Sequence, residues 1–369
     1  GTGLLDSIDY RINVRAKGKT CVDFALHGMV TYLMDSVFDE VKELPKKGVS
    51  SIKIFMAYNG SPLHVDDGSF YRILEESGKV GLTVFVHAEN GEILNFLRDE
   101  CVKKGQLAPK YHYVSRPPFT EAEGVRRAIY LAQQTGTPLY VVHVTCKEAL
   151  QEIQEAQGKG INVGGETCTH YLTVTKDVLD DPDFNKAAQY VCSPALRSQE
   201  HLDALWEALN RGLLTAVSSD HCGIDLAELK QAGRDNFTNI PNGAPGAGDR
   251  LHMLWTEGVA KGKISKEKLV EVFATEPAKI NGIYPRKGAL EIGSDADIVI
   301  FDPEYRGTIR LEDNPNGVDY NIYEGHEMIG RTETVLLRGN VVVENAKFTG
   351  QLGQGRFISA KPYASRYEE

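Results

Sequence analysis

Short apolar runs rich in β-branched residues recur through the first 220 positions. They are "TCVDFALHGMV" (20–30), "VSSIKIFMAY" (49–58), "LTVFVHAEN" (82–90), "PLYVVHVT" (138–145), "INVGGETC" (161–168) and "LLTAVSSDHC" (213–222). Between them, "SFYRILEESGKVG" (69–81), "TEAEGVRRAIYLAQQTG" (120–136) and "CKEALQEIQEAQGKG" (146–160) space their apolar residues three and four apart, as a helix with one buried face does. Strand followed by helix, repeated, predicts a parallel sheet, either doubly wound or closed as a β/α barrel. Six units are visible, whereas a closed barrel of this kind needs eight. The texture changes near residue 285. "RKGALEIGSDADIVIFDPE" (286–304) and "TVLLRGNVVVENAKF" (334–348) alternate polar with β-branched residues and turn on Gly, Asn and Asp, which predicts antiparallel strands. The expected organisation is a partial β/α barrel over 1–284, a partial, β-sandwich-like side domain over 285–350, and an arm over 351–369. That arm is short of core-forming residues and is expected to lie over a neighbour or the surface.

One polar residue interrupts this pattern. Lys53 sits among Ile52, Ile54, Phe55 and Met56 in a run that otherwise reads as a covered parallel strand. A buried ammonium without a partner carries a penalty of several kcal/mol, so such a lysine is expected to be paired, neutralised or bound to metal. Composition narrows the classes. With 41 % hydrophobic and 25 % charged residues the 369-residue chain is an ordinary globular sequence. A formal charge of −10 argues against a nucleic-acid footprint and gives no support to an acidic-membrane patch. No apolar run approaches the roughly 18 residues of a membrane span. The six cysteines are scattered without a CxxC pair and read as reduced thiols of a cytoplasmic protein.

Polar residues fall repeatedly near strand ends. His87 ends "LTVFV", His143 ends "PLYVV", Asp220 follows "LLTAVSS", and Lys53 lies a few residues before Tyr58. In β/α barrels the C-terminal strand ends form the active face. Singly, each residue also has a plain structural reading: a strand histidine bonded in the core, Asp220 as a helix N-cap, Lys53 snorkelling from an edge strand. Jointly, two imidazoles and a carboxylate suit zinc or a similar divalent ion with a position left open. A buried lysine with a lowered pKa can add carbon dioxide to become a bridging carbamate.

"SSIKIFMAY", "VHAEN", "VVHVT", "GETCTHYL", "CSPALR", "SSDHC" and "IPNGAPG", in that order, resemble the hydantoinase/dihydropyrimidinase branch of the cyclic amidohydrolases, and "KGALEIGSDADIVIFD" resembles a C-terminal signature of that superfamily. The resemblance runs from about residue 4 to 363 and implies a metal-dependent-hydrolase type (β/α)8 barrel that opens hydantoin or 5,6-dihydropyrimidine rings to N-carbamoyl amino acids. It implies two divalent ions, zinc or manganese, bridged by carboxylated Lys53, with His87 and His143 on one ion. Asp220 would hold the other ion and act as general base and then acid. Tyr58 would donate to the oxyanion, Ser193 and Asn242 would fix the amide or ureido edge, and Phe55 with Leu63 in the loop 59–68 would face the exocyclic substituent. Glu166, His170 and His221 would be outer-shell or structural residues, and Cys222 a buried thiol. Relatives with the same chemistry on another ring, allantoinase-like or dihydroorotase-like, remain open. So does a non-catalytic assembly relative of the collapsin response mediator type. The tail "GQGRFISAKPY" resembles an arm that crosses to a neighbouring subunit, which implies a homodimer or homotetramer.

The match departs from the family at one place. The family's first barrel strand ends in a His-x-His pair, and none of the ten histidines here forms one. By resemblance the first two strands and the N-terminal part of the side domain are absent, so the chain is expected to be a fragment or a shortened member. Its second metal site is then incomplete, with activity of the chain alone in question.

Overall fold

The computed structural model describes residues 3–313 and 316–363. Six strands form one all-parallel sheet in strict chain order: β1 (Gly28–Met29), β2 (Ser51–Phe55), β3 (Thr83–His87), β4 (Leu139–Val141), β5 (Val163–Cys168) and β6 (Ala216–Ser218). Neighbouring order with helical crossovers is the topology of a β/α barrel. Among the described residues β1 and β6 are not paired with each other, so the barrel is an arc of six staves with two free edges. Five long helices cover it: α1 (Asp67–Lys79), α2 (Gly91–Lys103), α3 (Pro118–Thr135), α4 (Lys147–Gly158) and α5 (Gln199–Asn210). The three amphipathic segments read from the sequence are α1, α3 and α4, each within a few residues of its expected limits. Asp66 caps α1 by accepting the Ser69 amide at 3.0 Å.

Strand parity explains why Lys53 looked misplaced. Ile52 and Ile54 of β2, with Val84 and Val86 of β3, are fully buried and face the helices, where they join Phe70, Ile73, Leu74, Val125 and Ala128. Lys53 and Phe55 point to the opposite face, the barrel interior. Register sets Lys53 opposite Phe85 and Phe55 opposite His87. The same parity carries Tyr140, Glu166, Cys168 and Ser218 to the interior.

Two strands are shorter than their apolar runs. Of 20–30 only Gly28–Met29 joins the sheet. The earlier part meets the C-terminal tail instead: Thr20 O accepts the Gly353 and Gly355 amides, and Phe24 exchanges main-chain bonds with Arg356 and Ile358. The last strand stops at Ser218, before Asp220.

The antiparallel sheet runs β10–β9–β8–β7, with β7 (Ile298–Thr308), β8 (Glu327–Leu337), β9 (Asn340–Glu344) and β10 (Lys347–Phe348). It is tied to the barrel by Thr256, whose hydroxyl bonds Ile329 O and N at 3.1 and 3.0 Å, and by Trp255 against Phe301. A knot around nearly buried Asp23 joins it to the base. Asp23 takes Lys287 Nζ at 2.7 Å, the Arg338 guanidinium and the Arg356 amide. The described tail lies across its own barrel, where the Ala360 amide bonds Gly48 O and the Tyr363 amide bonds Gly81 O. No described helix is long and apolar enough to cross a membrane.

Candidate metal centre and substrate pocket

The strand ends bring most of the expected residues into one cluster. The His87 and His143 rings meet edge to face at 4.6 Å, and Tyr58 and Phe55 lie 5.5 and 5.6 Å from His87. Lys53 Nζ stands 5.0 Å from the Phe55 ring centre and makes no ion pair among the described residues. Burial lowers its pKa to about 8, although the charges of Asp220 and Glu166 pull the other way. A fraction of neutral amine is therefore present near neutral pH, which is what carbamate formation requires.

Three residues of the cluster are held in the left-handed backbone region, where side chains are strained: Tyr58 (φ 66°), His143 (φ 42°) and Asp220 (φ 42°). Such positions carry on the order of 1–3 kcal/mol each and gather at functional sites. Asp220 follows β6 without capping a helix, since the next helical turn starts at Lys230. Desolvation raises its carboxyl above the usual carboxylate range, with Lys53 opposing, while one side remains open to solvent beside the free edge of β6.

The sequence reading missed the network that orients His87. His87 Nε2 donates to Glu89 Oε2 at 2.7 Å, and Arg116 Nη1 reaches both Glu89 oxygens at 3.2 and 3.0 Å. Burial would raise the Glu89 carboxyl, but Arg116 and the His87 bond hold it down to about 2. Burial keeps His87 neutral, so its Nδ1 carries the free lone pair. The only sequence signal was a carboxylate two residues past a strand-end histidine in "VHAEN". Helix α3 presses close here because Gly124 allows it: a Cβ there would stand 2.7 Å from the Ala88 carbonyl carbon and oxygen. Beyond His143, Thr145 is fixed by Glu121, which accepts its amide at 2.8 Å and pairs with Arg197 at 3.0 Å.

Tyr58, Ser193 and Asn242 come together as expected. The Ser193 and Asn242 side chains lie against the Tyr58 hydroxyl. Burial is the main reason that the phenol's pKa is raised, so it stays a donor. The Ser193 hydroxyl is buried and, apart from its approach to Tyr58, has no hydrogen-bond partner among the described residues. Leu63 is half-buried in a loop that folds back on Phe55, whose carbonyl accepts the Val65 amide at 2.9 Å.

One secondary reading is revised, that of Cys222. His170 packs against Tyr171 with the rings tilted at 51°, and Glu166 faces the interior, where its charge acts on Lys53 and Asp220. His221 accepts the Gly246 amide at 3.3 Å. Cys222 is exposed rather than buried, because the loop after β6 lies on the open side of the arc.

A model of the amidohydrolase family matches residues 10–342. The chain belongs to the amidohydrolase family. It is 44 % identical over 348 residues to a D-hydantoinase of Ralstonia pickettii, spanning 94 % of this chain and 76 % of that protein. To the dihydropyrimidinase of Rattus norvegicus it is 37 % identical, over 99 % of this chain and 70 % of that one. The crystal structure of dihydropyrimidinase from Brevibacillus agri superposes with a TM-score of 0.95 at 42 % identity, covering 98 % of this chain and 78 % of that one. These relatives place the amidohydrolase in the hydantoinase/dihydropyrimidinase branch, and the family carries dependence on divalent metal.

The donor set can be tested against that requirement. Among the described residues His143 Nδ1 is buried without a hydrogen-bond partner, His87 presents Nδ1, and Lys53, whose pKa burial lowers to about 8, makes no ion pair. Together these fit one divalent ion. Among the described residues no three His, Cys, Asp or Glu side chains converge to hold a metal, so the set reaches three donors only by counting Lys53. A second ion would have Asp220 and a shared Lys53, which is too few donors for a closed site.

Proposed function

We propose that this amidohydrolase hydrolyses a cyclic amide or ureide, hydantoin or a 5,6-dihydropyrimidine, to the N-carbamoyl amino acid. The observation that supports the reading best is the meeting of the Lys53, His87 and His143 group with a Tyr58 hydroxyl flanked by Ser193 and Asn242. In this reading Lys53 is carboxylated, and Lys53, His87 and His143 hold zinc or manganese. A divalent ion there supplies Lewis acidity toward the ring carbonyl and lowers the pKa of water.

The chain's own groups account for the remaining steps. Ser193 and Asn242 bind the polar edge of the ring and orient its carbonyl toward Tyr58. Water oxygen bonds to the ring carbonyl carbon, and Tyr58, kept protonated by burial, donates to the oxygen that gains charge. Asp220 takes the proton from the attacking water. As the ring C–N bond breaks it passes that proton to the leaving nitrogen, a role that suits a carboxyl raised toward neutrality. Phe55 and Leu63 face the exocyclic substituent. We include a homodimer or homotetramer in the reading, to be checked by light scattering.

The deciding experiment assays the full gene product, loaded with zinc or manganese, against hydantoin, 5,6-dihydrouracil, allantoin and dihydroorotate, with metal content measured in parallel. Opening of the first two rings supports the reading. Opening of only allantoin or dihydroorotate moves it to another ring, and a protein that holds no metal and opens none is a binding relative.

A further inference from the structure

Lys230 is 0 % exposed, yet among the described residues no carboxylate pairs with it. Its ammonium donates to two main-chain carbonyls, Ala188 O at 2.9 Å and Val191 O at 3.1 Å, and lies 5.9 Å from the centre of the Tyr320 ring. Val191 O also accepts the Gly243 amide at 3.0 Å. Gly243 O in turn accepts the Tyr320 hydroxyl at 3.5 Å. Lys230, Val191, Gly243 and Tyr320 thus close a ring of contacts. Val191 stands two residues before Ser193, and Gly243 directly follows Asn242.

The rest of this region is clamped in the same way. Cys192 O accepts His112 Nε2 and Pro194 O accepts the Tyr171 hydroxyl, both at 2.7 Å. Ala244 O accepts the Cys222 amide at 3.1 Å, which links the Asn242 segment to the loop of Asp220. Gly243 has no room for a side chain, since a Cβ there would meet Cys222 Cβ, Sγ and O at 2.9 Å. Its φ of 153° also disfavours any other residue.

We propose that Lys230 is a positioning residue that joins the segments carrying Ser193 and Asn242 into one rigid piece and so sets the spacing of the two groups that grip the cyclic substrate. This rests on the proposed function for the meaning of that spacing, though not for the junction itself. Stability alone does not account for the lysine. Without Nζ, Ala188 O keeps the Val191 amide at 3.3 Å and Val191 O keeps the Gly243 amide, so neither carbonyl is left unpaired. An apolar residue of similar volume in place of a buried charge is often neutral or stabilising. What Nζ adds is a donor shared between the 188–191 turn and the carbonyl that holds Gly243.

The test compares Lys230→Met with the parent protein by four readouts. The melting temperature is not expected to fall, and metal content is expected to stay within the parent's range. For hydantoin, kcat/KM is expected to fall about a hundredfold, carried mainly by KM, as for misplacement of a binding group by about 1 Å. Hydrogen exchange is expected to accelerate at the Val191–Ser193 and Gly243–Ala244 amides. Unchanged exchange at those amides overturns the proposal whether or not any ring is opened. Unchanged kcat/KM in an active protein also overturns it, as does a loss matched by equal loss of melting temperature and metal. If the parent opens no cyclic ureide, the proposed function fails on that result, and the exchange readout alone decides the junction.

Discussion

Glu89 shows how one side chain fixes the chemistry of another. Its carboxylate takes the Nε2 proton of His87 and is itself held by Arg116, so the lone pair of His87 is committed to Nδ1 before any ligand arrives. Glu89→Gln is expected to weaken metal affinity about 10–100-fold without unfolding the protein, read by competition with a chelator. Lys53→Ala is expected to abolish ring opening, with partial recovery when a short carboxylic acid is added to replace the carbamate. Recovery without added acid would remove Lys53 from the site. Lys230 makes a prediction about pH. Burial holds its pKa at about 8, with Cys192 and Cys222 opposing, against 10.5 for the free side chain. Between those values the unfolded chain binds more protons than the folded one, so stability rises with pH across the window by on the order of 3 kcal/mol. Denaturant melts from pH 7.5 to 10 are expected to show that rise in the parent and to lack it in Lys230→Met.

At the scale of elements, α3 is placed by an absence. Gly124 carries a helix propensity penalty of about 1 kcal/mol relative to alanine, which an exposed Gly→Ala change would recover. Here the added Cβ meets the main chain of Ala88, which cannot yield without moving Glu89 and His87. Gly124→Ala is therefore expected to lose about 1–3 kcal/mol and to weaken metal binding, checked by melting and by metal titration. All six parallel strands and helices α1, α3 and α4 were legible in the sequence, because apolar runs and helical spacing are local signals. The candidate ligands were legible because strand ends in such folds share one face. Glu89, Arg116 and Lys230 were not. Each gains its role from a partner 27 to 42 residues away along the chain. The brevity of β1 was hidden for a related reason, since residues 20–24 are claimed by a tail more than 300 positions later.

For the molecule as a whole, the Asp23 knot carries the join between barrel, antiparallel sheet and tail. Burial would raise the Asp23 carboxyl, but Arg338 and Lys287 bring it below the ordinary value. Lys287 keeps Asp295 and Asp297 as further partners, whereas among the described residues the Arg338 guanidinium has no other carboxylate within ion-pair distance. Asp23→Ala is accordingly expected to destabilise the fold by about 2–3 kcal/mol, measured by chemical denaturation. The free edges of β1 and β6 expose main-chain donors and acceptors, which favours pairing with further strands or with another chain.

The clasp between Thr20–Phe24 and Gly353–Ile358 also orders events in time. Strand β1 is made well before the stretch that covers its flank, and that flank cannot close until Gly353–Ile358 has left the ribosome. At about 5–20 residues per second, the 333 positions between Cys21 and Gln354 amount to roughly 20–60 s of waiting. During synthesis residues 20–24 therefore wait unclasped, and the arrival of Gly353–Ile358 closes this flank of the barrel.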